Sequence, residues 1–247
     1  MKTALKKAIN RTLNRWGWAV HRYQPSTDPN AMMAHLLQYL SVDLVLDVGA
    51  NQGQFASGLR RVGYQGRMLS FEPLRKAHEL LEHAAREDSL WTPMPRCAIG
   101  AEAGTINMNV SQNSYSSSIL PMHDNLMVSA PEARFVAQET APMLTLDEMV
   151  ALHVKNGERC LLKIDTQGYE WEVLNGASAT MANVVAICIE TSLVPLYKGQ
   201  RLWLDYIERL IAEGFVVWDI HSAFAAPKNG RLLQADLIFV KAELVSS

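Results

Sequence analysis

Three apolar runs each end on a carboxylate followed by a turn, and these acids are the places where chemistry is expected. The first run is Val45-Leu46-Asp47-Val48-Gly49-Ala50-Asn51-Gln52-Gly53-Gln54-Phe55. Gly49 lets the chain turn sharply with no Cβ in the way. Gly53 lets the start of the next helix come close to a ligand, and backbone N–H groups there point into the crevice beyond the strand. The pattern is not a dinucleotide fingerprint, because GxGxxG needs glycine where this chain has Asn51 and Gln54. An Asp before the glycine suits an ammonium group or hydroxyls rather than a pyrophosphate. The plainer alternative is a turn that binds nothing.

The second acid is Glu72 in Phe71-Glu72-Pro73, 25 residues after Asp47. An acid at that strand end can accept both hydroxyls of a ribose. The third run is Leu162-Lys163-Ile164-Asp165-Thr166-Gln167-Gly168-Tyr169-Glu170. Asp165 can orient a substrate hydroxyl, position an ammonium group or help to hold a metal. Glu170 lies in the first turn of a helix, where the macrodipole favours a carboxylate. Glu190 ends a strand expected beside that of Asp165, about 5 Å away, so the two acids can share a divalent cation or a proton. His221 follows a strand and can reach the same crevice, and His123 lies in a segment that could cover it. His78 and His83 are five apart and share no helix face as an i, i+4 metal pair would. The widely spaced Cys97, Cys160 and Cys188 sit in or beside apolar runs and read as small buried hydrophobes.

The elements that must position these residues follow from periodicity. Strands are expected over 44–48, 68–72, 93–99, 105–110, 160–165, 184–190, 215–220 and 237–241. Helices are expected over 31–40, 54–62, 75–88, 146–154, 169–181 and 202–213. LVLDV, LLKID and VVAICIE are apolar enough to be buried on both faces. Such alternation predicts an α/β fold with a mainly parallel sheet and helices on both sides. The last two strands have no helix between them and read as an antiparallel pair. Residues 111–142 are the least regular and could form a loop over the site.

Residues 1–27 stand apart, with six basic side chains and no acid, whereas the remainder carries 17 basic against 25 acidic residues. An acidic body speaks against a nucleic-acid surface. Residues 2–22 read as an amphipathic helix with Leu5, Ile9, Leu13, Trp16 and Val20 on one stripe. That stripe can lie in a membrane interface or pack on protein. The expected division is therefore 1–27, a basic helix and linker, and 28–247, the catalytic domain. No apolar stretch reaches the ~20 residues of a membrane span, and the start lacks the apolar core of a signal peptide. A cytoplasmic protein with peripheral contact at the inner membrane face is expected.

Together, DVGANQG, the FEP strand end, KIDTQGYEWEVLNGA and the late Ala235-Asp236-Leu237-Ile238-Phe239 resemble the FkbM family of class I S-adenosylmethionine-dependent methyltransferases. The resemblance covers about residues 43–241. It implies a Rossmann-like, seven-stranded sheet in the order 3-2-1-4-5-7-6 with strand 7 antiparallel. It implies O-methylation of a hydroxyl on a sugar, glycolipid or other secondary metabolite. Carried onto this chain, Asp47, Gly49, Asn51 and Gly53 would hold the amino acid part of S-adenosylmethionine, Glu72 its ribose, and Cys97, Ala98 and Ile99 its adenine. Asp165, Glu190 and His221 are the catalytic candidates. A divalent cation is compatible with these acids but not required, and no metal ligands are assigned. The (Asp/Asn)-Pro-Pro-(Tyr/Phe) tetrapeptide of amino-methylating nucleic-acid enzymes is absent, since the matching site reads Asp165-Thr166-Gln167-Gly168. The competing readings are a nicotinamide-dependent oxidoreductase on a related sheet and a non-catalytic cofactor-binding module.

Overall fold

The computed structural model describes residues 28–245 and the single positions 11, 13 and 15. The amphipathic helix expected over 2–22 otherwise lies outside the described residues. Among those described, no helix is long and apolar enough to cross a membrane.

Among the described residues, ten strands form two sheets. The main sheet contains β1 (Leu44–Val48), β2 (Arg67–Phe71), β3 (Trp91–Pro93), β7 (Cys160–Ile164), β8 (Val184–Ser192), β9 (Phe215–Ala225) and β10 (Leu232–Lys241), in the order β3-β2-β1-β7-β8-β10-β9. Counted along this sheet alone, that is 3-2-1-4-5-7-6. β10 is antiparallel to both neighbours and the other pairings are parallel. All five residues of β1 are buried, as its apolar run requires. Side chains alternate between the faces. Leu44, Leu46 and Val48 pack with Leu162, Ile164 and Phe239 beneath α5 (Leu146–Val150), α6 (Glu170–Asn175) and α7 (Trp203–Ala212). Val45, Leu161, Ala186 and Ile238 pack on the other face beneath α1 (Pro29–Tyr39), α2 (Gln54–Arg61) and α3 (Arg75–Ala85). The Asp28 carboxylate caps α1, accepting from the N–H of Asn30 and Ala31 at 2.9 and 3.1 Å.

The structure corrects several expected elements. The third strand is two pieces: Trp91–Pro93 closes the main sheet, while β4 (Ala98–Ile99) belongs to the second sheet. Pro93 and Pro95 interrupt it, because proline cannot donate to a ladder. The second sheet is β4-β6-β5, with β5 over Gly104–Ser111 and β6 over Phe135–Leu144. Thus the segment expected to be irregular contains α4 (Asp124–Ser129) and the first residues of β6. Strand β6 is solvated over much of its length, so its polar Gln138-Glu139-Thr140 stretch hides it. Helix α6 stops at Gly176, where a Cβ would collide with the Gly100 carbonyl.

Candidate active site

The first turn has a backbone that only certain residues accept. Gly49 has φ +80, and a Cβ there would collide with the carbonyl of Asp165. Asn51 follows with φ +48, a region in which asparagine is among the more tolerant residues. The N–H groups of Gly49 and Ala50 donate to the Phe71 carbonyl at 3.1 and 3.0 Å, tying the turn to β2. Glu72, just past β2, then accepts from the N–H of Asn51 and of Leu74, both at 2.9 Å and on separate oxygens. Burial pushes its carboxyl up to about 7, against the pull of those two N–H groups. Each oxygen keeps one lone pair for a ligand hydroxyl.

A cavity of about 410 Å³ opens at the carboxyl edge of the main sheet, where ligands bind in open α/β folds. Gly49, Asn51, Glu72, Cys97, Ala98 and Ile99 line it on the β1–β2 side. Asp165, Glu190 and His221 line the other end and are brought together with Asp236, Lys163 and Gln167. The register accounts for this. Glu190 pairs with Asp236, and Asp236 pairs with His221, so the three share one face across β8, β10 and β9. Asp165 follows β7 on the same face. His221 lies within the longer β9 and meets Asp219 at 2.9 Å.

Two residues expected to hold the cofactor lie off the cavity lining. Asp47 is fully buried and does not line the cavity; Lys163, its partner on β7, stands over it with Nζ 3.3 Å from Oδ1. Asp47 Oδ2 accepts from Ser70 at 3.3 Å. Gly53 is not a lining residue either. Its φ is +83, and a Cβ would strike the Trp91 ring, so it serves the turn and the packing. His123 caps α4, with Nδ1 accepting from the Asn125 N–H at 3.2 Å, and takes no part in the cavity. Glu170 is buried and staples the site loop, accepting from the N–H groups of Thr166 and Gly168. Cys97 and Cys188 line the cavity, and burial pushes the Cys97 thiol up to about 11, so it stays protonated.

Sequence reasoning missed Lys163, Gln167 and Asp236 as site residues. Lys163 and Asp236 carry a signal nonetheless: each is a charge set among apolar residues of a largely buried strand. Gln167 carries none. Its Nε2 stands between the carboxylates of Asp165 (2.8 Å) and Glu190 (2.7 Å). The Gln167 amide is thus a shared partner of these two acids. Among the described residues, no three His, Cys, Asp or Glu side chains converge as a metal site.

The cavity fits S-adenosylmethionine on its own terms. Asn51 Oδ1 is buried without a hydrogen-bond partner beside the α2 N-terminus. Glu72 offers free lone pairs for a ribose, and Phe71, Ile99 and Met108 form an apolar wall for a flat base. A glycine turn after the first strand and a hydroxyl-accepting acid after the second belong to the class I S-adenosylmethionine-dependent methyltransferases, and this chain is one of them. Its residues 47–217 match the FkbM methyltransferase domain, and it belongs to that family. A candidate O-methyltransferase from Klebsiella pneumoniae shares the fold at a TM-score of 0.50 and 12% identity, over 95% of this chain and 88% of that one. Aeropyrum pernix fibrillarin, solved with natively bound S-adenosyl-L-methionine, is similar at a TM-score of 0.46 and 14% identity, over 85% of this chain and 74% of that one. No curated protein matches the sequence.

Proposed function

We propose that the enzyme methylates a hydroxyl of an uncharged, polyhydroxylated acceptor, a sugar or the sugar of a glycolipid. The observation that carries this reading is the row of Asp165, Glu190, Asp236 and His221 at one end of the cavity. Carboxylates accept hydrogen bonds from hydroxyls and repel phosphates. Lys163, the cationic side chain beside them, is already engaged by Asp47 and Asp165 at 3.3 and 3.6 Å.

When bound, S-adenosylmethionine supplies an electrophilic methyl group on a sulfonium that leaves without being protonated. Asp47, held by Lys163, supports the turn that bears Gly49 and Asn51, and these two cradle the amino acid part. Glu72 takes the ribose hydroxyls, and Cys97, Ala98 and Ile99 line the base. Asp165 and Asp236 orient the acceptor. Glu190 would take the proton of the acceptor hydroxyl, and the cofactor would supply the methyl group that this oxygen gains. His221, held by Asp219 at 2.9 Å, stands beside Asp236 across the ladder.

The basic stripe of residues 2–22 supports a place at an anionic membrane surface, on the cytoplasmic side, where a glycolipid acceptor would reside. Residues 28–247 then form the catalytic domain and residues 1–27 its anchor. Methyl-labelled S-adenosylmethionine with matched panels of neutral glycosides, sugar phosphates and RNA tests the acceptor class. Label in the neutral glycosides is expected. Label confined to the phosphorylated panel or to RNA would overturn the reading. Full-length protein should bind anionic liposomes, and a chain lacking residues 1–27 should not.

A further inference from the structure

Glu190 holds its two oxygens in unequal surroundings. Oε2 accepts two amide N–H donors, Gln167 Nε2 at 2.7 Å and Gln234 Nε2 at 2.6 Å. Oε1 has no hydrogen bond among the described residues. The Gln167 amide is oriented by its own partners: Oε1 accepts the Tyr197 hydroxyl at 2.8 Å, and Nε2 also donates to Asp165 Oδ1 at 2.8 Å. Flipping it would set an oxygen against two carboxylates. Its backbone is committed as well. Gln167 has φ +56, and its carbonyl accepts the Ser118 hydroxyl at 2.6 Å. A residue that is not glycine and holds a left-handed backbone at a site is strained, and its surroundings must maintain it.

We propose that Gln167 is a positioning residue that presents Glu190 to the acceptor: with Gln234 it occupies Oε2, so that Oε1 is the oxygen that takes the hydroxyl proton. This rests on the reading of Glu190 as the base. Two N–H donors on one oxygen exclude a proton there, and a proton gained by Glu190 must sit on the oxygen open to the cavity. The same donors favour the ionised carboxylate. They counter burial and the negative groups around it, which are Asp165 after β7, Asp236 on β10 and Glu170 on α6, with Lys163 on β7 as the opposing cation. The Tyr197 hydroxyl also faces this group, and His221 on β9 faces Asp236.

Infrared difference titration of the full-length protein tests the proposal without an acceptor. The carboxylic C=O band that disappears in Glu190→Gln identifies the residue. In Gln167→Gly the titration midpoint of that band should rise by roughly one pH unit, because a hydrogen bond to the charged form is lost. Glycine suits the positive φ and keeps the carbonyl that Ser118 holds, so the turn survives the change. Gln234→Leu removes the other donor far from the turn and should raise the midpoint in the same direction. Calorimetry should give both variants wild-type affinity for S-adenosylmethionine. A midpoint unmoved in both variants, or no band lost in Glu190→Gln, would overturn the proposal. Methyl transfer that survives Glu190→Gln would instead overturn the assignment of the base. Loss of transfer in Glu190→Gln with an unmoved midpoint in the other two would overturn this inference alone.

Discussion

Lys163 Nζ lies 3.3 Å from Asp47 Oδ1, between partnered residues of adjacent parallel strands, with side-chain exposures of 11% and 0%. Asp47 Oδ1 has no well-directed hydrogen bond, so the attraction is mainly Coulombic. Burial raises the Asp47 carboxyl above its usual value, and the Lys163 charge only partly offsets this. Burial works against the Lys163 ammonium too, but Asp47 and Asp165 outweigh it and hold that group charged. Removing one partner leaves a buried, unpaired charge, which costs about 3–5 kcal/mol. Lys163→Met is therefore expected to destabilise the fold by that amount in urea unfolding at neutral pH. The double variant Lys163→Met, Asp47→Leu should recover much of the loss. A single variant within ~1 kcal/mol of wild type would show that the pair is not a structural necessity.

Glu72 makes ligand affinity and stability depend on pH in opposite ways. Its carboxyl is raised by burial from 4.5 to about 7. A folded value above the unfolded one means that the group's stabilising contribution is fully present below about 4.5 and is lost as pH rises through about 7. At about 1.36 kcal/mol per unit, the loss is on the order of 3 kcal/mol. Ribose hydroxyls donate to the ionised form, so ribose binding should strengthen over the same interval. Adenosine carries that ribose and no group that titrates there. Its calorimetric affinity should rise about tenfold between pH 6 and 8, while urea stability falls. Glu72→Ala should flatten both curves. An adenosine affinity independent of pH in the wild type would remove Glu72 from ribose binding.

The sheet was legible because β1, β7 and β8 are continuous apolar runs, and two-sided burial admits little else. The antiparallel β9–β10 pair was legible because no helix separates them. The place of Gly49 and Glu72 at the sheet edge could be read from types and spacing, because each directly follows an apolar strand run. The acceptor end could not be read in the same way. Asp236 meets Glu190 only through the register of strands far apart in sequence. Gln167 works through a left-handed backbone that its residue type does not announce. Asp47 was assigned to the ligand because its partner Lys163 comes from a strand more than a hundred residues away. Strand β6 escaped because a solvated strand need not be apolar.

Two positive-φ positions in one turn should respond oppositely to substitution. At Gly49 a Cβ would meet the Asp165 backbone, which cannot yield as a flexible side chain could. Gly49→Ala therefore combines an unfavourable φ with a backbone clash and should cost more than ~3 kcal/mol, with loss of S-adenosylmethionine binding. At Asn51, φ +48 favours glycine, and the backbone N–H that reaches Glu72 is kept. Asn51→Gly should retain the fold but weaken S-adenosylmethionine binding by about tenfold or more, because the buried Oδ1 offered to the ligand is lost. Thermal melts with and without cofactor check both. A stable, cofactor-binding Gly49→Ala would mean that the turn relaxes away from β7.

Asp236 should shift Glu190 in the direction opposite to Gln167. Its carboxyl is pushed up to about 6 by burial and by Asp165, against Lys163 and His221. It pairs across the ladder with Glu190, and its negative charge helps to raise the Glu190 carboxyl. Asp236→Asn removes that charge and keeps the shape. Glu190 should then ionise at lower pH, and the acid limb of the rate profile should move down by up to about one unit. The row also loses an acceptor for sugar hydroxyls, so KM for the acceptor should rise while S-adenosylmethionine affinity stays the same. Opposite displacements in Asp236→Asn and Gln167→Gly would place both residues around one titrating group. Displacements of the same sign would mean that the limb reports a residue other than Glu190.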